Sequence, residues 1–175
     1  FLYFPTVAAP ITVSYNLSGV KSLQLSPDTL AKIMMGTVTT WNDPAIAADN
    51  SGVTLPTTAI TVVVRSDGSG TTSNFSKYLA AASPSIFTVT AGDTVQWPRA
   101  TAAKGNTGVA QVVKDTAGAI GYVDFADAKA SGLSFASIKN KDGKFVAPSL
   151  AGATAALSTA TANADLTYSA LNAAG

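Results

Sequence analysis

Apolar and polar positions alternate in part from Pro10 to Leu17, and the stretch is rich in β-branched residues, so it predicts a strand. The spacing then becomes helical. Ser26-Pro27-Asp28 supplies a capping hydroxyl and a proline suited to the first helical position, and Leu30, Ile33 and Met34 form an apolar face that ends at Gly36. Trp41-Asn42-Asp43-Pro44 opens a shorter helix through Ala48, followed by a loop containing Asn50-Ser51-Gly52 and Pro56. From Ala59 to Val64 the chain is almost continuously apolar and β-branched, as a strand covered on both faces should be. That run stops at Arg65-Ser66-Asp67-Gly68-Ser69-Gly70. From Thr71 to Ala82 a helical period returns, with Phe75, Tyr78 and Leu79 on one side.

A second unit follows in the reverse order. Lys104-Gly105-Asn106-Thr107-Gly108 leads into a helix bearing Val109, Val112 and Val113, Gly118 breaks it, and Ala119 to Val123 predicts another buried strand. A short helix is expected from Ala126 to Ala130, a strand from Leu133 to Ile138, a hairpin-like turn from Lys139 to Lys144, and a helix from about Ser149 to Ser158. No internal repeat is visible. Strands alternating with helices predict an α/β fold around a mixed or mostly parallel sheet with helices on both faces. In such folds ligands sit at the carboxyl ends of strands, where the loop after Val64 must lie.

Composition narrows the chemistry. A chain of 175 residues with 47% apolar side chains is long enough for one well-buried core, and one domain spanning 1–175 is the expectation. Only 12% of residues are charged and the formal net charge is +1, so there is no polyelectrolyte character for holding nucleic acid or an anionic membrane. No apolar run is long enough to span a membrane. Cysteine and histidine are both absent, which removes disulfides, Ser-His-Asp and Cys-His catalysis and the usual zinc sites. No cofactor is implied.

The loop Arg65 to Thr72 is where anion chemistry is expected. A helix that starts at the end of a buried strand points free backbone amides at one spot, and its dipole favours negative charge there. Gly68 and Gly70 allow close approach, Ser69, Thr71 and Thr72 add hydroxyls, and Arg65 adds a planar, permanently charged fork. Asp67 is the exception among these donors. It can accept hydrogen bonds from Arg65 and fix its plane, or accept the proton of a protonated phosphate. The same residues also read as ordinary N-cap chemistry in a turn that binds nothing. A Walker loop is excluded, because no lysine follows Gly70 before Lys77. Lys104 reads as a solvated loop lysine, Trp41 and Trp97 as core or rim aromatics, and Tyr122 as structural.

Several ordered segments carry a family resemblance: Phe4-Pro5 before an apolar strand, Leu30-Ala31-Lys32-Ile33 with Gly36, Thr40 to Ile46, Val64 to Thr71, Trp97-Pro98, Lys104 to Ala110 and Gly118 to Val123. In these the chain resembles the phosphate-binding protein of the bacterial phosphate ABC transporter, the PstS family. The resemblance implies a periplasmic-binding-protein type II-like lobe and a two-lobed protein that closes on inorganic phosphate. By position it makes Arg65, Ser69, Gly70 and Thr71 phosphate contacts and Asp67 the acid paired with the arginine. It implies a periplasmic or extracellular setting, with a cell-surface lipoprotein as one form of a full-length protein, and an ABC transporter permease as partner. The matching covers the second lobe only, so the first lobe is expected to be absent. Phe1 to Pro5 would then lie near one hinge crossing and the tail from about Asn163 near the other.

Losing three first-lobe contacts at roughly 1.5–3 kcal/mol each would weaken binding by about a thousandfold or more. The family's acceptor for the phosphate proton lies in that first lobe, so the isolated lobe is expected to bind phosphate and sulfate alike, and weakly. Two other classes compete with a binding module that has no catalytic turnover. One is a non-catalytic structural or interaction module that keeps the fold and pairs through an exposed apolar cleft face. The other, a phosphate-transfer or hydrolytic enzyme using Asp67 or Lys104, lacks a metal cluster, a nucleophile with a base and a nucleotide loop.

Overall fold

The computed structural model describes residues 9–162, 164 and 168–169. The expectations for Phe1–Pro5 and for the tail from Asn163 as hinge crossings lie outside those residues. The predicted run from Ala59 becomes the strand Thr61–Arg65 (β3), which sits inside a five-stranded sheet. Its neighbours are Thr101–Ala103 (β4) on one side and Ala119–Asp124 (β5) on the other, both parallel to it. Ile11–Tyr15 (β1) lies antiparallel to β5, and Ser134–Phe135 (β6) closes the order β4-β3-β5-β1-β6. The sheet is therefore mixed, with a parallel half.

Strand alternation sends successive side chains of β3 to opposite faces. Val62 and Val64 pack in a cluster with Leu30 and Ile33 of the helix Pro27–Met34 (α1) and Phe75 and Leu79 of the helix Gly70–Ala82 (α3). Val63 faces the other way, against Val109, Ala110 and Val113 of the helix Gly105–Asp115 (α4). The short helix Pro44–Asp49 (α2) follows α1 in the chain, and Phe125–Ala130 (α5) follows β5. Helices cover both faces, as the doubly apolar β3 requires. α1 begins as its sequence dictates: Ser26 Oγ accepts from the Thr29 amide at 3.3 Å, and Pro27 occupies the first turn.

The stretch Leu133 to Ile138, expected as one strand, is two. Ser134–Phe135 belongs to the five-stranded sheet, whereas Ser137–Lys139 (β7) joins a three-stranded sheet with Gln24–Leu25 (β2) and Phe145–Val146 (β8). The chain changes sheet at buried Ala136, whose amide donates to Val13 O at 2.8 Å while that of Ser137 donates to Leu23 O at 2.8 Å. A small side chain at the crossing lets the backbone pass from one ladder to the other. The turn from Lys139 to Lys144 does join a hairpin, with Lys139 opposite Phe145.

β2 and β4 have no sequence signal. β2 is held by buried Asn50, whose side chain accepts from the Gln24 amide at 2.8 Å and donates to Gln24 O at 2.7 Å, as a neighbouring strand would. β4 is a largely exposed edge strand of Thr and Ala. Near the chain's end Leu150–Ser158 (α6) is capped by Ser149, and Thr161–Ala162 (β9) pairs with Tyr168–Ser169 (β10). No described helix is long and apolar enough to cross a membrane.

Gly118, expected as a helix breaker, is also a packing requirement. Its φ is +80°, and a Cβ there would lie 2.5 Å from Ala59 O and 2.8 Å from Thr58 Cγ2. Its carbonyl accepts from buried Trp41 Nε1 at 3.0 Å, so the strand start and the tryptophan are tied together. Gly118→Ala should destabilise the chain by about 1–3 kcal/mol from the left-handed backbone alone, with the contacts adding to that. Urea unfolding would show a lowered midpoint; an unchanged midpoint would contradict this packing.

Candidate functional site

Because β4, β3 and β5 are parallel, their carboxyl ends share one edge of the sheet. Arg65 ends β3, Gly105 and Asn106 follow β4, and Asp124 ends β5. Residues 41 apart in sequence, Arg65 and Asn106, meet there in space.

Arg65 is the centre of this cluster. Its Nε donates to Asp67 Oδ1 at 2.8 Å and Nη2 to Asp67 Oδ2 at 2.6 Å, a side-on bidentate pair. Its Nη1 donates to Asn106 Oδ1 at 3.3 Å. Of a guanidinium's five N–H donors, three are thereby committed, and among the described residues one N–H on each terminal nitrogen has no acceptor. Charged donors of that kind suit the oxygens of a tetrahedral oxyanion.

Asp67 takes the pairing role. Its Oδ1 also accepts from the Gly105 amide at 3.0 Å, and Gly105 adopts φ +70°, a left-handed backbone that favours glycine at the start of α4. The hydrogen bond from Arg65, and secondarily that from Gly105, holds the Asp67 carboxyl well below the usual carboxylate range. The same bond raises the Arg65 pKa further.

The start of α3 supplies the neighbouring donors. Ser69 is its cap, buried, with Oγ accepting from the Thr72 amide at 3.2 Å; its hydroxyl proton remains to be given elsewhere. The Ser69 amide is committed to Asp93 O at 3.0 Å. Gly70 and Thr71 stand in the first turn, where amides have no acceptor within the helix. Gly70 is exposed, with nothing within 4 Å of a hypothetical Cβ.

Two expectations about side chains change, those for Thr72 and Thr71, and the structural role expected of Tyr122 acquires a polar part. The Thr72 hydroxyl, expected among the loop's donors, is buried and pairs with Tyr122 Oη at 2.8 Å, because the helix turns it toward the sheet. Tyr122, expected to be structural, is buried and stacks on Phe75, but its hydroxyl also accepts from the Arg65 amide at 3.2 Å. It thus ties the end of β3 to the start of α3. The Thr71 hydroxyl donates to Asp124 Oδ1 at a long 3.4 Å. Asp124, unremarked in the sequence, also accepts from Asn106 Nδ2. Its only signal there was an acid directly after a buried strand. Lys104 is exposed, as expected of a solvated loop lysine, and Trp41 is core.

A family model described as a PBP superfamily domain matches residues 1–175. The chain belongs to that superfamily. The phosphate-binding protein PstS of Pasteurella multocida (strain Pm70) is 45% identical over 151 residues, which are 85% of this chain and 44% of that protein. PstS3 of Mycobacterium bovis (strain BCG / Pasteur 1173P2) is 46% identical over 139 residues, 79% of this chain and 38% of that protein. The chain thus spans less than half the length of these curated relatives. Among solved structures, the phosphate-bound form of PfluDING, described as a high affinity periplasmic phosphate-binding protein, superposes with a TM-score of 0.72 at 24% identity. That likeness covers 89% of this chain and 45% of the other, and it shows the fold. The superfamily likeness accords with the mixed sheet and two helical layers expected of a binding-protein lobe.

The Asp67 pair has a pH signature. Its carboxyl is depressed in the folded chain, so its stabilising contribution is complete above the ordinary value of 3.8 and is lost as pH falls toward the lower folded value. Following the Asp67 carboxyl carbon by NMR should show it still ionised at pH 3.8 in the folded chain. A midpoint at the ordinary value would contradict the bidentate pair.

Proposed function

We propose that the chain binds inorganic phosphate at the Arg65–Thr72 loop, as one lobe of a two-lobed phosphate-binding protein that serves phosphate uptake. The observation that carries this reading is the state of Arg65: three donors are committed to Asp67 and Asn106, and one N–H on each terminal nitrogen is left at the head of the loop that leads into α3. Arg65, the Ser69 hydroxyl and the amides of Gly70 and Thr71 hold the anion's oxygens, and Asp67 sets the guanidinium plane. Relatives named as phosphate-binding proteins support the choice of phosphate over other oxyanions. The role is binding without turnover. The remaining partners are a second lobe and an ABC transporter permease, in a periplasmic or extracellular setting.

A second reading, an interaction module, has its own observation. α6 is apolar yet has no buried residue, and Leu150 and Leu157 stand exposed on it. Between it, α3 and the small sheet lies a mostly apolar cavity of about 480 Å³, lined among others by Ile11, Phe75, Tyr78, Ile138 and Val146. An apolar surface of this kind is suited to contact with another polypeptide.

Calorimetric titration at low ionic strength separates the two. The binding reading expects weak heats with both phosphate and sulfate, lost in Arg65→Ala while circular dichroism shows that variant still folded. Absence of binding to either anion, with self-association by light scattering, would favour the interaction module.

A further inference from the structure

The guanidinium of Arg65 has two sides, and Asp67 holds one of them. Asp67 grips Nε and Nη2 and so sets the plane, but it makes no contact with the other terminal nitrogen. On that side Asn106 Oδ1 accepts from Nη1 at 3.3 Å. An amide has a donor end and an acceptor end, and a guanidinium, which only donates, can meet only the acceptor end. What turns the amide the right way is Asp124. Its carboxylate only accepts, so it takes Nδ2 and leaves Oδ1 for the arginine.

We infer that Asn106, oriented by Asp124, is a positioning residue that braces the Nη1 end of the Arg65 fork for anion binding. The inference rests on the anion reading of the Arg65 loop. The chain of contacts runs from β5 through the first turn of α4 to β3, so each member is carried by a regular element. Asp124 also receives the Thr71 hydroxyl, which couples the start of α3 to the same carboxylate. The path is specific about chemistry. An asparagine at position 124 keeps it, because its carbonyl accepts from Asn106 and the Thr71 hydroxyl can accept from its amide. An alanine at either position breaks it.

The test uses the full chain with ¹⁵N-labelled arginine. Without any anion, NMR of the unsubstituted protein should show slow rotation of the Arg65 guanidinium about its Cζ–Nη bonds. Asn106→Ala and Asp124→Ala should each speed that rotation and lower phosphate affinity about tenfold, which is about 1.4 kcal/mol. Alanine is a good helix former, so Asn106→Ala leaves α4 intact, and Asp124→Ala reports on the same contact from its far end. Asp124→Asn should restore both rotation and affinity to near the unsubstituted values. Because both alanine changes cut one path, the double variant should bind no worse than Asn106→Ala alone. Unchanged rotation in Asn106→Ala, or losses that simply add in the double variant, would overturn the inference. Should the unsubstituted chain bind no phosphate at all, the proposed function fails, and the rotation measurement alone still decides whether the brace exists.

Discussion

A guanidinium can offer donors to an anion in a fixed direction only when its other donors are held, since its long stem is otherwise free to turn. Every part of this site follows from that constraint. Arg65 is held side-on by Asp67, Asp67 is held by the Gly105 amide, and Gly105 can give that amide because its backbone is left-handed at φ +70°. The positive charge of Arg65 and the negative charge of Asp67 offset each other, so attraction for an oxyanion depends on directed hydrogen bonds more than on net charge. That suits a chain whose formal charge is only +1.

The fold supplies the convergence. Three parallel strands ending on one edge bring an arginine, a glycine-asparagine turn and an aspartate together from distant sequence positions. Tyr122 does the same from beneath, its ring stacked on Phe75 and its hydroxyl meeting both the Arg65 amide and Thr72. Core packing and site geometry are thus linked through one side chain, which is why a phenol on an apolar strand is more than filler here.

Much of this was legible in the residues. The strand from Thr61, the helix from Gly70 and the pairing of Arg65 with Asp67 all follow from local rules: β-branched runs, cap chemistry and an acid two residues from a base. What was not legible depends on contacts across the fold. β4 is a short Thr-Ala edge strand whose only reason to extend is its neighbour β3. β2 depends on Asn50 imitating a strand partner, and the break at Ala136 depends on two ladders competing for adjacent amides. Asn106 shows no local sign of its role, and Asp124 only that of an acid after a buried strand, because their roles appear only when α4 and β5 meet β3. Thr72 differs from its expected place for the same reason: a hydroxyl there can face outward or inward, and the helix phase turns it to Tyr122.

The most direct test of the account is where an anion lands on the chain. Backbone amide shifts of ¹⁵N-labelled protein, followed during a phosphate titration, should move first and furthest at Gly68, Ser69, Gly70 and Thr71, together with the Arg65 side chain. Shifts centred on α6 and the cavity beneath it, with the Arg65 loop unmoved, would contradict the claim that this loop is the anion site.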